Sequence, residues 1–262
     1  MDNDLDGGSF RRRDPHGQGD ELLMAAENMS PALSIVMPVY NEAEALEQVV
    51  AEWVTMLDGE HIDYEMRIYD DGSRDGTAEV LQRLAASNPR IIATAKKNSG
   101  HGPTIMRGYN EAHGEWVFQT DSDGEMGAVS FQSLWSVRDR YDFLLGEREG
   151  RLSSMHRKVL TGGSRAVVAL LFGRAVVDVN SPYRLMRGEW LRGVLPLIPV
   201  GAAVPNIILT GLASKTRSRV FATPVPSQAR RHGASSLNLS RIGHLAVRAV
   251  IDAARVAFRR AK

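Results

Sequence analysis

Four short apolar runs, separated by stretches of helical periodicity and ended by turns rich in Asp, Asn, Ser and Gly, constrain this chain more than any other feature. Leu33 to Tyr40 (L-S-I-V-M-P-V-Y) has the pattern of a buried strand. Asn41-Glu42 then opens a helical segment that carries Ala45, Leu46, Val49, Val50, Trp53 and Leu57 at helical spacing. Tyr64 to Tyr69 is a second strand running into D-D-G-S-R-D-G-T (Asp70 to Thr77), where Asp75 or Thr77 can cap a helix through Leu84. Arg90 to Ala95 is a third strand, Asn98-Ser99-Gly100-His101-Gly102 turns into a helix through Ala112, and Glu115 to Thr120 is a fourth strand. The alternation predicts an α/β fold of one domain, with a mostly parallel central sheet flanked by helices.

Because the turns all follow strands, they gather on one edge of the sheet, the edge where open α/β sheets bind ligands. The richest of them ends V-F-Q-T-D-S-D-G-E (Val117 to Glu125), an apolar strand leading into two aspartates one residue apart. Asp121 and Asp123 can direct oxygens at one hard divalent cation, with Glu125 a further donor, and such a metal retains waters and clamps substrate phosphates. Loops of this composition suit a nucleotide diphosphate sugar. They supply a slot for the base, carboxylates for base or ribose, backbone approach without Cβ, and a metal for the pyrophosphate. Other nucleotide sites lose ground: the first strand leads into P-V-Y-N-E rather than G-x-G-x-x-G, and no G-x-x-x-x-G-K-[ST] loop occurs.

Composition narrows the setting. At 43% hydrophobic and 24% charged residues the chain reads as globular. The net charge of +1 conceals an asymmetry: residues 1–30 hold seven acidic side chains against three arginines, whereas 230–262 hold eight Lys/Arg against Asp252 alone. The first 30 residues are expected to be a disordered tail. Without cysteine, disulfides and thiolate metal sites are excluded. No window approaches the roughly 20 apolar residues of a membrane span, and the N-terminus lacks the apolar core of a signal peptide. The expected location is cytoplasmic, peripheral on the inner face of a membrane, and no nucleic-acid partner is expected.

M-P-V-Y-N-E (Met37 to Glu42), Y-D-D-G-S-R-D-G-T (Tyr69 to Thr77), N-S-G-H-G (Asn98 to Gly102) and D-S-D-G-E (Asp121 to Glu125), in that order, resemble the inverting family 2 glycosyltransferases of GT-A fold, whose sheet is Rossmann-like. More narrowly, L-L-G-E-R (Leu144 to Arg148), R-K-V-L-T (Arg157 to Thr161), D-V-N-S-P-Y-R (Asp178 to Arg184) and R-R-H-G-A-S-S (Arg230 to Ser236) are similar to the dolichyl- and polyprenyl-phosphate sugar transferases. The resemblance implies a GT-A domain over 31–236, with a nucleotide-sugar half at 31–130 and an acceptor half at 131–236. It implies that Pro38, Tyr40, Glu42 and Asp71 hold the nucleoside, Tyr69 contributing backbone beside the base. Asp121, Ser122 and Asp123 would meet the diphosphate and the metal, Mg2+ or Mn2+, with Glu125 standing where the lipid-phosphate subgroup usually has Gln. Arg148, Arg157, Thr161 and Arg230 match positions that grip donor or acceptor phosphates, and Asp121, Asp123 and Arg148 form the catalytic set. The acceptor end departs from the pattern more: Ser181-Pro182-Tyr183 replaces S-G-F, and Ser236 stands where a lysine is common.

The chemistry agrees without the family. Negative charge builds on the leaving phosphate as a sugar departs from a nucleotide diphosphate, and a metal with arginines stabilises it. Transfer to a hydroxyl also needs a carboxylate base, whereas a phosphate acceptor is already ionised. Arg148 to Arg187 contains seven arginines (Arg148, Arg151, Arg157, Arg165, Arg174, Arg184, Arg187) against Glu149 and Asp178. The resemblance points the same way, since the E-D dipeptide and Q-x-x-R-W of the relatives that glycosylate hydroxyls do not occur in the sequence. The expected reaction is inverting transfer of a hexose from a UDP- or GDP-linked donor to a polyprenyl phosphate. A soluble hydroxyl acceptor, with Asp178 as base, and a non-catalytic nucleotide-sugar-binding module stay open.

Several of these residues have a plain structural reading. Asp70 and Asp75 suit a turn and a cap, Gly100, Gly102 and Gly108 suit backbone geometry, and Arg151, Arg165, Arg174 and Arg187 suit solvated faces or ion pairs. Trp53, Trp116 and Trp135 read as core, and His101 receives no role. Val200 to Ala213, broken by Pro205, is expected to be a buried or interfacial helix, and Arg219 to Val225 a final strand. From 237 to 262 the pattern is a basic amphipathic helix: Ile242, Leu245, Ala249, Ala253 and Val256 form one stripe, Arg241, Arg248, Arg255 and Arg259 the other side. Such a helix either lies on an anionic membrane surface or packs on the domain, and a membrane partner protein is a further possible anchor.

Overall fold

Among the described residues, seven strands form one sheet in the order β3-β2-β1-β4-β6-β5-β7. The computed structural model describes residues 30–149, 155–173, 179–228 and 239–258, with backbone alone for 155–161, 164 and 239–246. The N-terminal tail and the expectations placed on Arg151, Arg174, Asp178, Arg230 and Ser236 lie outside the described residues.

The strands are β1 (Leu33–Val39), β2 (Tyr64–Asp70), β3 (Ile91–Ala95), β4 (Trp116–Gln119), β5 (Phe143–Glu149), β6 (Arg184–Arg187) and β7 (Val220–Pro226). The helices are α1 (Ala43–Gly59), α2 (Thr77–Ser87), α3 (His101–Glu111), the single turn α4 (Gln132–Trp135), α5 (Met155–Phe172), α6 (Gly188–Val194), α7 (Pro205–Lys215) and α8 (Leu239–Ala257). Pairings β1–β2, β2–β3, β1–β4 and β5–β7 are parallel, and only β6 runs against its neighbours β4 and β5. All seven residues of β1 are buried, as expected for a central parallel strand covered on both faces.

The chain winds outward from β1 to β2 and β3, then returns to β1's other side as β4, so β1 and β4 flank the topological switch point. Their register runs from Leu33↔Trp116 to Val36↔Gln119 and stops. Pro38 lies just beyond. The Val36 carbonyl faces β4, accepting from Thr120 N at 3.2 Å, so Pro38, two residues on, faces the same side. Its missing N–H therefore falls where the two strands part, and costs no ladder bond.

One face of the sheet is covered by α1, whose buried residues Ala45, Leu46, Val49, Val50, Trp53 and Leu57 are the six picked out by helical spacing. Trp53 meets Phe118 (ring centroids 5.2 Å) and Phe131 (5.7 Å), and Phe118 meets Tyr183 at 4.8 Å. The other face is covered by α3 and α7 with α8 beyond, around Tyr109, Phe143, Ile208, Leu209 and Ala253. Pro205 does not break a helix over 200–213. It opens α7 at its first turn, where a missing N–H costs nothing.

Asp142 pins the far side of the sheet. It accepts from Arg219 N (3.0 Å), Nε (3.2 Å) and Nη2 (2.7 Å), and Arg187 Nε lies 3.7 Å away. The Arg219 hydrogen bonds hold its carboxyl below the usual range, against burial. A depressed carboxylate stabilises the fold above its unfolded pKa of about 4 and loses that contribution as pH falls through the folded value. Asp142→Asn is therefore expected to lower the melting temperature at pH 7, the gap to wild type closing on acidification below pH ~4. A gap that persists in acid would show that the ion pair is not its source.

Candidate active site

The turns after β1 and β2 are laced together by side chains. Asn41, at φ 55°, takes the left-handed conformation that Asn tolerates. Its Oδ1 accepts from Arg74 N (2.8 Å), and its N–H donates to Ser73 Oγ (2.9 Å). Asp75 satisfies the first donors of two helices at once, accepting from Thr77 N of α2 at 3.1 Å and Ala43 N of α1 at 3.2 Å. Burial opposes ionisation of this carboxyl, yet the bonds from Thr77 and Ala43 keep its pKa below the ordinary value. Asp70 makes the turn as expected, its Oδ1 accepting from Ser73 N at 2.9 Å.

Asp71 is buried, and protein donors surround its carboxylate: Lys96 Nζ, Ser99 N (2.8 Å) and Gly100 N (2.9 Å). Lys96 Nζ also donates to Ser99 Oγ (2.7 Å) and Thr104 Oγ1 (2.9 Å). Lys96 escaped the sequence reading, although a lysine one residue past β3 on the ligand-binding edge was a usable signal. Tyr40 is half exposed at the rim beside Glu42. The Tyr69 phenol donates to Glu111 Oε2 at 2.9 Å, on the helix side of the sheet, leaving only its backbone at the edge. Burial, then Glu111, raises its pKa.

Beyond β4, Ser122, Asp123 and Glu125 are buried and Asp121 is partly exposed. Asp123 Oδ1 accepts from Glu125 N at 2.9 Å and so shapes the turn. Thr120, Asp121, Asp123, Glu125, Met126, Arg148 and Pro182 line one cleft. The fold thus brings Arg148, near the end of β5, to the two aspartates. Glu125, in the same cleft, also accepts from Ser227 Oγ at 3.0 Å through Oε1, and its carbonyl accepts from Gln228 N at 2.9 Å. Among the described residues no three His, Asp or Glu side chains converge as metal ligands. Two carboxylates fit a hard cation that takes its remaining oxygens from water and a diphosphate.

Ser181-Pro182-Tyr183 supports this turn. Ser181 Oγ donates to Gly146 O (2.6 Å), and the Tyr183 hydroxyl donates to Gly127 O (3.0 Å) just past Glu125. Tyrosine at this core position adds a bond that phenylalanine cannot make. Ser227 and the Tyr183 hydroxyl were both missed, since nothing local marks contacts across such sequence distances. Of the remaining phosphate-binding candidates, Arg157 and Thr161 belong to α5 with side chains outside the described residues, and Arg230 lies outside them altogether. Arg187 follows the plain reading, stacked 4.5 Å over Trp116.

Two proteins named undecaprenyl-phosphate 4-deoxy-4-formamido-L-arabinose transferase are similar to the chain. The one from Edwardsiella ictaluri is 28% identical over 217 residues and that from Proteus mirabilis 26% over 216. Each alignment covers 81% of this chain, which spans 65% of the relative's length. In structure it resembles glucosyl-3-phosphoglycerate synthase from Mycobacterium tuberculosis, solved with Mn2+, UDP and phosphoglyceric acid (TM-score 0.63, 18% identity, 92% of this chain and 83% of that one). Mannosyl-3-phosphoglycerate synthase from Rubrobacter xylanophilus is also similar (TM-score 0.60, 14% identity, 86% and 73%). These likenesses show the GT-A fold. Residues 34–166, just over half of the sequence, match the Glycosyl transferase family 2 profile, and the chain belongs to that family.

Proposed function

We propose that this protein is an inverting, metal-dependent glycosyltransferase that moves a hexose from a nucleotide diphosphate sugar to a polyprenyl phosphate. The observation that carries this reading is the cleft at the switch point, which Asp121, Asp123 and Arg148 line together. Carboxylates for a cation and a guanidinium for phosphate, side by side, suit a reaction in which phosphates both leave and attack. Pro38, Tyr40, Glu42, the Tyr69 backbone and Asp71 hold the nucleoside. Asp121, Ser122 and Asp123 meet the diphosphate, and Arg148 with Arg157, Thr161 and Arg230 grips donor and acceptor phosphates. A divalent cation, Mg2+ or Mn2+, supplies neutralisation of the leaving diphosphate's charge. The relatives named for undecaprenyl phosphate support the acceptor, and the Mn2+–UDP complex of the structural neighbour supports the donor end.

The test is transfer of labelled sugar from UDP-glucose or GDP-mannose to undecaprenyl phosphate, with Mg2+, Mn2+ or chelator. A lipid-linked product that needs metal is expected. Product on a water-soluble hydroxyl acceptor, with undecaprenyl phosphate inert, would replace the acceptor. Donor binding without any turnover would leave only a binding module.

The acceptor's lipid needs a surface, and α8 supports one. Ala249, Ala253 and Val256 pack on the domain, as one stripe of the sequence foretells, while Val247, Val250, Ile251 and Phe258 form a second apolar stripe exposed to solvent. Exposed Arg248 and Arg255 flank it. An outward face of apolar and cationic side chains suits an anionic bilayer, and among the described residues no helix is long and apolar enough to cross one. Val250→Asp with Ile251→Asp is expected to reduce co-sedimentation with phosphatidylglycerol vesicles at least tenfold, since two buried apolar contacts are replaced by charges facing like charge. Unchanged co-sedimentation would reject this face.

A further inference from the structure

We infer that His101 recognises the sugar of the donor, acting together with Asp121. The inference rests on the nucleotide-sugar reading of the site and adds to it a residue from a different turn.

His101 is the first residue of α3, and the fold holds it from both sides. Before it, Gly100 adopts φ 93°, a conformation L side chains avoid, with its N–H on Asp71 Oδ2 at 2.9 Å. The Gly100 carbonyl accepts from Thr104 N (3.2 Å) and Thr104 Oγ1 (2.9 Å). After it, Gly102 presses on the backbone of 202–203: a Cβ there would lie 2.3 Å from Ala202 O and 2.4 Å from Ala203 O. The imidazole is thereby aimed at the β4 turn, its Nε2 3.7 Å from Asp121 Oδ1.

That distance is beyond a hydrogen bond. Among the described residues Asp121 Oδ1, shielded from solvent, accepts no hydrogen bond, and the His101 side chain, 56% exposed, makes none. A hydroxyl seated beside the pair, within reach of both atoms, can donate to the carboxylate oxygen and accept from the imidazole N–H, satisfying both. A hydroxyl of the transferred sugar, which lies next to the diphosphate held at the aspartate turn, is a group of that chemistry. The free diphosphate keeps its ribose hydroxyls but lacks those of the transferred sugar.

Affinities of the full chain for UDP-glucose, GDP-mannose, UDP and GDP, each with Mn2+, measured by titration calorimetry, test the assignment. Wild type is expected to bind a nucleotide sugar more tightly than its free diphosphate. His101→Ala should lose up to about tenfold toward the nucleotide sugar, the upper worth of one neutral hydrogen bond, with affinity for the free diphosphate unchanged. His101→Gln, which keeps an N–H donor, should recover part of the loss. Equal binding of nucleotide sugar by His101→Ala and wild type overturns the assignment. So does an equal loss for the free diphosphate, which would make His101 a partner of the ribose or a support of the loop. If wild type binds none of the four, the nucleotide-sugar reading itself falls, and this assignment with it.

Discussion

Asp123→Asn is expected to reduce sugar transfer roughly a thousandfold while leaving the fold intact, since a cation bridging a carboxylate and a leaving phosphate is worth several kcal/mol at the transition state. The substitution separates the two tasks of this side chain. The turn uses Asp123 Oδ1 as the acceptor for Glu125 N at 2.9 Å, and an asparagine carbonyl accepts that bond equally well. What asparagine lacks is the negative charge that draws a divalent cation into a buried position. The ligand-free melting temperature should therefore be unchanged, whereas the Mn2+-dependent stabilisation by UDP or GDP should disappear. Turnover near the wild-type rate would remove Asp123 from the metal site.

The largest effect on stability is expected from Trp53→Ala, at about 3–5 kcal/mol. Trp53 is 2% exposed and touches Phe118, Phe131 and Tyr183, which in turn pack on one another. Removing the indole opens a cavity among rings that are themselves fully buried, and stacked strands beneath leave little room for collapse. Against a typical total of roughly 5–15 kcal/mol the loss is severe. It also reaches the site, because Phe118 stands three residues before Asp121 and Tyr183 braces Gly127. The urea midpoint should fall at constant slope, and a shift smaller than that of a surface substitution would mean that the rings repack.

What was legible in the sequence was the local part. Six helical positions on α1, the four parallel strands to within a residue or two at each end, and the turns that follow them are all set by periodicities of neighbouring residues. Parallel β-α-β winding then forces those turns onto one edge, so the cluster of Asp70, Asp71, Asp121 and Asp123 followed from element order alone. Local periodicity does not report which strand lies beside which, and there the reading ran out. Pro205 looked like an interruption because its role depends on where α7 begins. The outward stripe of α8 was invisible because both stripes are apolar, and only packing shows that Ala249, Ala253 and Val256 are the covered one.

The sequence by itself determined the fold class, the sheet edge that carries the chemistry and the carboxylates at its centre, since each depends on residues within a turn or two of one another. Tertiary structure alone decided that Arg148 shares a cleft with Asp121, Asp123 and Glu125, that Ser227 donates to Glu125, and that His101 faces Asp121. Those meetings depend on β4 returning beside β1 and on β6 inserting between β4 and β5. Strand order of that kind is settled by burial of the whole sheet between its two helical layers, a global free energy that no short window of sequence contains.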